Sequence, residues 1–332
     1  MDTNTTMANP EMDPGQQMFT TVFSIVVTSV GTLANALSLS YFLNLSNKSL
    51  GDRILILLNS LDLSVCLVTL IDVIVKTWLF DQEEGLPNYV SESLPQIISA
   101  VLSSILYFVL TESTAFATCL LSVTRALSLC FPFYLVNKKA VQYGTALYFL
   151  YVILKEGILL GLQFWTILEH GDDEDEVYQE VSKIVTFFTL IVFVIVVLIS
   201  NSLTGYKLVF SKNETINQGP NTRRAGITVF ILSSLFLFFN FLYIAVGGTM
   251  IAFNEDIDLL EIDDIRTFLM EVVMQFSVPI NSACNPIVYF IRKGNMRAFI
   301  KNKFMSCSRP QENRSKDQLN QFGRASTSAS HL

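Results

Sequence analysis

Several charged side chains lie inside the apolar stretches of this chain, where an ionised group is unfavourable. Asp62, Glu112, Arg125 and the neighbours Lys155 and Glu156 all lie within runs of otherwise apolar residues. Burying an ionisable group in hydrocarbon is costly, so such groups are candidates for function by default. For Lys155 and Glu156 two interpretations are open: a buried or snorkelling ion pair, and part of a ligand site.

Enzyme chemistry finds little support among the residues of these stretches. The sequence has only two histidines, His170 and His331, and both lie outside the apolar runs. Neither a buried zinc site nor a histidine general base is therefore predicted. The Gly-x-Gly-Asp signature of intramembrane aspartyl proteases is also missing. We predict that the chain is not an enzyme and holds no organic cofactor.

The composition excludes a water-soluble domain and a disordered regulator. Of the 332 residues, 51% are hydrophobic and only 15% are charged, with a net charge of −7. Soluble domains carry about a quarter charged residues. The five cysteines give no disulfide framework that can be read from their spacing.

Seven apolar stretches have the length of a membrane-spanning helix. A bilayer core about 30 Å thick needs about 20 apolar residues, and unpaired backbone groups in lipid favour helices over strands. We therefore predict an all-α membrane protein, a seven-transmembrane helix bundle occupying residues 18–291. The seven stretches are 18–43, 54–79, 97–129, 141–168, 184–210, 225–253 and 268–291.

The orientation follows from the basic residues, which are retained on the cytoplasmic side. Most of the 22 Lys and Arg fall on one side if the N-terminus is outside. Residues 1–17 then form an extracellular N-terminus without the features of a cleaved signal peptide. Asn4 would be a glycosylation acceptor or an unused sequon. Residues 308–332 are predicted to be a disordered cytoplasmic tail.

Residues 292–307 have apolar positions spaced for an amphipathic helix with a basic face. Such a helix is expected to lie on the inner leaflet of the membrane. Cys307 at its end is a candidate for palmitoylation, and a plain reduced thiol is the alternative.

Four short motifs occur in order along the apolar stretches, at Gly31 to Asn35, Leu58 with Asp62, Thr124 to Pro132, and Asn281 to Tyr289. Together with seven stretches in the expected topology, they resemble rhodopsin-like (class A) G protein-coupled receptors. The resemblance covers all seven stretches and the start of the tail.

The resemblance implies roles for two groups of residues. In the family an arginine at the place of Arg125 grips the G protein and stabilises the open state with two tyrosines; the corresponding activation residues here are Arg125, Tyr206, Asn285, Pro286 and Tyr289. A mid-membrane polar cluster resembles the family's sodium site, and oxygen ligands suit a hard cation. Its members are Asp62, Thr114, Asn281, Ser282 and Asn285. The alternative is a hydrogen-bonded packing network without an ion, in which Asn35, Asp62 and Asn285 bond to one another.

The chain departs from the family pattern in ways that bear on activation. Ala100 replaces the first cysteine of the outer disulfide, and Thr124 replaces the acid before the arginine. In the sixth stretch Asn240 and Leu242 occupy the places of the switch tryptophan and the kink proline. These replacements put the activation mechanism in doubt more than the fold.

The sequence defines the ligand and its binding site less closely than it defines the fold. The candidate ligand-binding residues are Asp72, Lys76, Tyr107, Glu112, Tyr243, Glu271 and Gln275. Acidic outer loops attract cations, which favours a cationic peptide, although the acids could serve only solubility. No lysine lies mid-way along the seventh stretch, so retinal is not expected.

We therefore expect a plasma-membrane receptor that couples an extracellular ligand to a heterotrimeric G protein, with the lipid bilayer as its surroundings and no nucleic-acid partner. A chemosensory receptor for small molecules is the first alternative. A seven-helix transporter or channel is the second, although no inverted repeat is visible.

Overall fold

A computed structural model describes residues 14–80, 109–131, 137–170, 175–210, 220–252 and 263–307. Within these ranges every regular element is a helix, so the prediction of an all-α protein is confirmed. The eight helices are α1 (Pro14–Leu43), α2 (Leu50–Phe80), α3 (Thr111–Cys130), α4 (Lys138–His170), α5 (Asp175–Phe210), α6 (Pro220–Ala252), α7 (Asp263–Arg292) and α8 (Gly294–Cys307).

Five of these helices are long and apolar enough to cross a bilayer. The candidate segments are Met18–Leu43, Leu50–Val75, Thr111–Cys130, Phe187–Phe210 and Arg223–Val246, in α1, α2, α3, α5 and α6. Their number and hydropathy suggest a membrane-embedded protein. The other two predicted stretches lie on α4 and α7.

The outward faces of the apolar helices support embedding in lipid. Val22, Val26 and Val30 lie on one face of α1 and are each more than half exposed. A continuous apolar face of this kind is unfavourable in water and is typical of a surface in contact with hydrocarbon.

The chain divides into two compact units, residues 1–289 and 290–332. In the first unit α1 packs on α2, α2 on α3, and α3 on α4, α5 and α6, while α5 also packs on α4 and α6. Hydrogen bonds join α7 to α1 and α2. The candidate residues Asn35, Asp62 and Asn285 lie in these interhelical contacts.

Gly31 permits a close approach of three helices. A Cβ atom added at Gly31 would lie 2.7 Å from Cys66 Sγ on α2 and 3.0 Å from Ala283 Cβ on α7. Only a residue without a side chain leaves room for this contact. The glycine therefore sets the spacing of α1, α2 and α7 beside the polar residues that follow.

A hydrophobic cluster joins α3, α5 and α6. It is formed by Ala115, Leu190, Val197 and Phe236, all almost fully buried. Tyr243 packs against this cluster. Dispersion contacts of this kind hold helices together where water supplies no driving force.

The second unit contains α8, at the place where the sequence predicts an amphipathic helix. Arg297, Lys301 and Lys303 are exposed, while Phe299 and Ile300 are half-buried. Lys303 Nζ lies 5.7 Å from the centre of the Phe299 ring, a cation–π distance.

Candidate functional site

Asp62 is the centre of a buried polar cluster on α2 and α7. Its side chain is fully buried, and Asn285 Nδ2 donates a hydrogen bond to its Oδ2 at 2.7 Å. Asp62 Oδ1 has no hydrogen-bond partner among the described residues. The sequence predicts the contact between these two residues.

Asn35 joins α1 to α7 through a backbone carbonyl and not through Asp62. Its Nδ2 donates to Gly31 O at 3.0 Å and to Ser282 O at 3.1 Å. Pro286 has no N–H, so the carbonyl of Ser282, four residues earlier, loses its normal helical donor. Asn35 replaces that donor from another helix, which explains why the expected Asn35–Asp62 hydrogen bond is not formed.

Oxygen atoms at the predicted sodium residues are buried and lack hydrogen-bond partners. Asp62 Oδ1, Thr114 Oγ1, Asn281 Oδ1 and Ser282 Oγ all have this property within the described residues. Buried polar groups are normally paired, and oxygen atoms are the ligands that a small hard cation prefers. No cluster of three or more His, Cys, Asp or Glu side chains that could hold a metal is found in the described ranges.

A small cavity lies between α3, α6 and α7. Thr114 and Asn281 line it together with Ser277 and Asn240. Ser277 Oγ is buried without a hydrogen-bond partner among the described residues, while Asn240 Nδ2 donates to Phe236 O of its own helix at 2.8 Å. Asn240, predicted from the sequence to replace a larger side chain, thus lies beside this cavity.

Arg125 lies half-buried near the end of α3, beside α6. A Cβ atom added at Gly226 of α6 would lie 3.5 Å from Arg125 Nη2 and 3.5 Å from Leu129 Cδ1. The neighbouring Thr124 donates its hydroxyl to the carbonyls of Leu120 at 2.8 Å and Leu121 at 3.0 Å. That hydroxyl is thus used within α3.

Two hydroxyl and amide contacts hold α6 against its neighbours. The hydroxyls of Ser122 on α3 and Ser233 on α6 lie 2.5 Å apart. Asn201 Nδ2 on α5 donates to Ser234 Oγ at 3.0 Å. Sequence reasoning missed these residues, because single serines in apolar helices are common and only the helix faces show which ones meet.

The two tyrosines assigned to activation lie in different surroundings. Tyr289 is fully buried, and its ring meets Phe42 edge to face at 5.4 Å between centroids. Tyr206 is 61% exposed and its ring lies 5.1 Å from that of Phe210 on the same helix. Pro286 is buried next to Asn285.

The structure describes the side chains of three of the seven candidate ligand residues, Asp72, Glu112 and Tyr243. Asp72 is buried on α2, and Glu112 forms an ion pair with Lys155 at 2.5 Å. Sequence reasoning missed this pair because the partners lie on different helices. The side chains of Lys76, Glu271, Gln275 and Cys307 lie outside the described part of the structure, as do residues Asn4 and Tyr107 as a whole.

Comparison with known proteins adds no relative to this picture. No protein-family model matches the chain, and no curated protein matches its sequence. The sequence motifs and the contacts that their residues make are therefore what indicates a function.

Proposed function

We propose that this chain is a rhodopsin-like G protein-coupled receptor of the plasma membrane. In this proposal α1 to α7 all cross the bilayer, the N-terminus is extracellular, and α8 lies on the cytoplasmic leaflet. Ligand binding shifts an equilibrium between closed and open helix arrangements. A heterotrimeric G protein then docks beside Arg125.

One observation carries the proposal: residues of three separate motifs meet in space. Asn285 of the seventh stretch donates a hydrogen bond to the Asp62 carboxylate of the second stretch. Asn35 of the first stretch donates one to the Ser282 carbonyl, four residues before Pro286. A chance motif match in sequence would not require these side chains to contact one another. A soluble helical protein would have no need to bury this polar cluster.

The contacts of α6 support a closed arrangement. Ser122 and Ser233 join α3 to α6, and Arg125 lies beside Gly226. An outward movement of α6 would break the Ser122–Ser233 contact and open the space next to Arg125. The proposed G protein would enter there.

A sodium ion is part of the proposal. Asp62, Thr114, Asn281 and Ser282 would supply oxygen ligands, with Asn285 holding the carboxylate in position. The ion would favour the closed state if only that state forms the site. The alternative is a packing network of hydrogen bonds without an ion.

The proposal is tested in cells that carry reporters for several G protein classes, with ligand libraries of basic peptides and of small molecules. We expect at least one ligand to give a signal, and Arg125→Ala to abolish that signal at equal surface expression. Lys207→Ala serves as a matched control because it removes a positive charge from another helix. If no reporter responds while ligand-dependent currents or uptake appear, the transporter or channel alternative replaces the receptor.

A further inference from the structure

Contacts between α5 and α6 recur from one helical turn to the next. Asn201 Nδ2 on α5 donates to Ser234 Oγ on α6 at 3.0 Å. One turn further along α5, a Cβ atom added at Gly205 would lie 2.9 Å from Phe230 Cε2, one turn earlier on α6. The Phe230 ring therefore packs directly on the glycine. Since positions four apart share a helix face, the two pairs define an antiparallel contact, which we call the α5–α6 seam.

Gly226 of α6 faces two neighbouring helices. A Cβ atom added there would lie 3.4 Å from Leu208 Cδ2 of α5, which extends the α5–α6 seam by a further contact. The same atom would lie 3.5 Å from Arg125 Nη2 and 3.5 Å from Leu129 Cδ1 of α3. An outward movement of α6 must therefore break its contacts with α3, with α5 or with both.

The hydroxyl contact between α3 and α6 is easily replaced. Ser122 and Ser233 are both almost fully buried, and their hydroxyls lie 2.5 Å apart. A serine in a helix can instead donate to a carbonyl of the preceding turn. Ser234 already does so, to Phe230 O at 2.8 Å. Both hydroxyls can thus keep a hydrogen bond after α6 has left α3.

The amide contact between α5 and α6 is harder to replace. Asn201 is 8% exposed, and its side chain carries two N–H donors and one carbonyl acceptor. One carbonyl of its own helix cannot satisfy all of these groups, and an unpaired polar group in hydrocarbon is costly. Lifting the Phe230 ring off Gly205 would also lose the close packing that a small residue permits between membrane helices.

We propose that Asn201 and Gly205 are positioning residues that keep α5 on α6, so that α6 leaves α3 with α5 attached. This inference rests on the proposed function, in which α6 moves outward. It adds that α5 and α6 form one moving wall of the G protein site. The wall parts from α3 at the contact between Ser122 and Ser233.

The opening can be measured without a ligand or a G protein, through the reactivity of a thiol. Leu129 is 4% exposed and lies beside Gly226, so a cysteine in its place becomes accessible when α6 leaves α3. The parent protein is the full-length chain with Leu129→Cys and Cys130→Ser in lipid nanodiscs. Mass spectrometry gives the rate at which a water-soluble maleimide modifies the Leu129→Cys thiol.

Two bridges then distinguish the two sides of α6. A disulfide formed in Ser122→Cys with Ser233→Cys joins α6 to α3 and should abolish the labelling. In Asn201→Cys with Ser234→Cys the amide is lost, so the labelling should become faster than in the parent. Joining these two thiols with a short bifunctional reagent should return the rate to that of the parent. A general loss of stability does not predict this return.

Gly205→Ala provides a second test that needs no bridge. The added methyl group meets the Phe230 ring, so the labelling should again be faster than in the parent. Gly157→Ala is the matched control and should leave the rate unchanged, because a Cβ atom there meets nothing within 4 Å. If the cysteine pair at positions 201 and 234 does not fold, these two variants decide the question.

Three results would overturn the inference. A bridge between α5 and α6 that lowers the rate below that of the parent would mean that α6 leaves α5 when it opens. Labelling that persists with the bridge between α3 and α6, or no labelling of the parent, would mean that α6 does not part from α3. The expected rates together with silent G protein reporters would instead reject the receptor proposal alone.

Discussion

A proline and an asparagine on different helices illustrate how single residues determine the site. Pro286 deprives the Ser282 carbonyl of its helical partner, and Asn35 supplies a donor at 3.1 Å. The adjacent Asn285 is held on the Asp62 carboxylate at 2.7 Å. These two hydrogen bonds fix α7 against α1 and α2 at the depth of the polar cluster.

The first residue-scale prediction concerns sodium. If the unpartnered oxygens hold the ion in the folded protein, the melting temperature of the purified protein should be higher in sodium chloride than in choline chloride. Asp62→Asn should abolish that difference, while Asp72→Asn on the same helix should retain it. Identical thermal unfolding of the wild type in the two salts would show that the cluster is only a packing network.

The second residue-scale prediction concerns Thr124. An acid at this place would hold Arg125 by a charge-assisted hydrogen bond, which is stronger than a neutral one. About 1.4 kcal/mol less stabilisation of the closed state would raise the ratio of open to closed protein about tenfold. We therefore expect ligand-independent signalling that Thr124→Asp reduces at equal surface expression. A wild-type protein that gives no signal without ligand, and is unchanged by Thr124→Asp, would contradict this expectation.

At the scale of helices, glycine positions decide which faces can meet. Gly31 lies in contact with both α2 and α7, whereas a Cβ atom at Gly157 of α4 would meet nothing within 4 Å. The same residue type therefore has a packing role in one helix and no such role in another. The sequence alone does not distinguish the two cases.

We expect Gly31→Ala to destabilise the protein by about 1–3 kcal/mol, the range of overpacking substitutions, because the added methyl group meets Cys66 and Ala283. Gly157→Ala is the control and should be neutral or slightly stabilising, since alanine favours helices. The melting temperature of each variant in lipid nanodiscs measures both effects. Equal melting temperatures for the two variants would argue against the close approach of the three helices.

The contact between Ser122 and Ser233 gives a second prediction at this scale. If it holds α6 in the closed arrangement, Ser233→Ala should raise ligand-independent signalling. Ser122→Ala should have the same effect, and the double variant should add little because the interaction is already lost. A G protein reporter at matched surface expression measures all three. Fully additive effects would mean that the two serines act separately.

Helix positions were more predictable from the sequence than their ends or their contacts. The stretch predicted at 184–210 corresponds to α5, which begins at Asp175. Hydropathy marks only the part that fits in lipid, and a helix can continue into polar residues. The Glu112–Lys155 pair joins residues 43 positions apart, and no local pattern specifies which faces of α3 and α4 meet. A hydropathy profile also does not show that the Ser282 carbonyl needs a hydrogen-bond donor from another helix.

At the scale of the whole molecule, charge is distributed unevenly along the chain. The net charge is −7, and many of the acids lie in the segments between the predicted stretches. If these segments face outward and steer a cationic ligand, its affinity should fall as ionic strength rises, because exposed charges are screened beyond about 8 Å at physiological salt. Replacing the acids of residues 172–176 by amides should reduce that slope. An unchanged slope would rule out steering by this segment.

The length of the apolar span of α1 determines which bilayer thickness suits the helix. Its candidate span, Met18–Leu43, has 26 residues, which at about 1.5 Å per residue extend about 39 Å. A hydrocarbon layer about 30 Å thick covers only part of that length, so the helix must tilt or the surrounding lipids must stretch. The span of α2 has the same length. A thick sterol-rich membrane would therefore relieve the mismatch of both helices, whereas a thin membrane would increase their tilt.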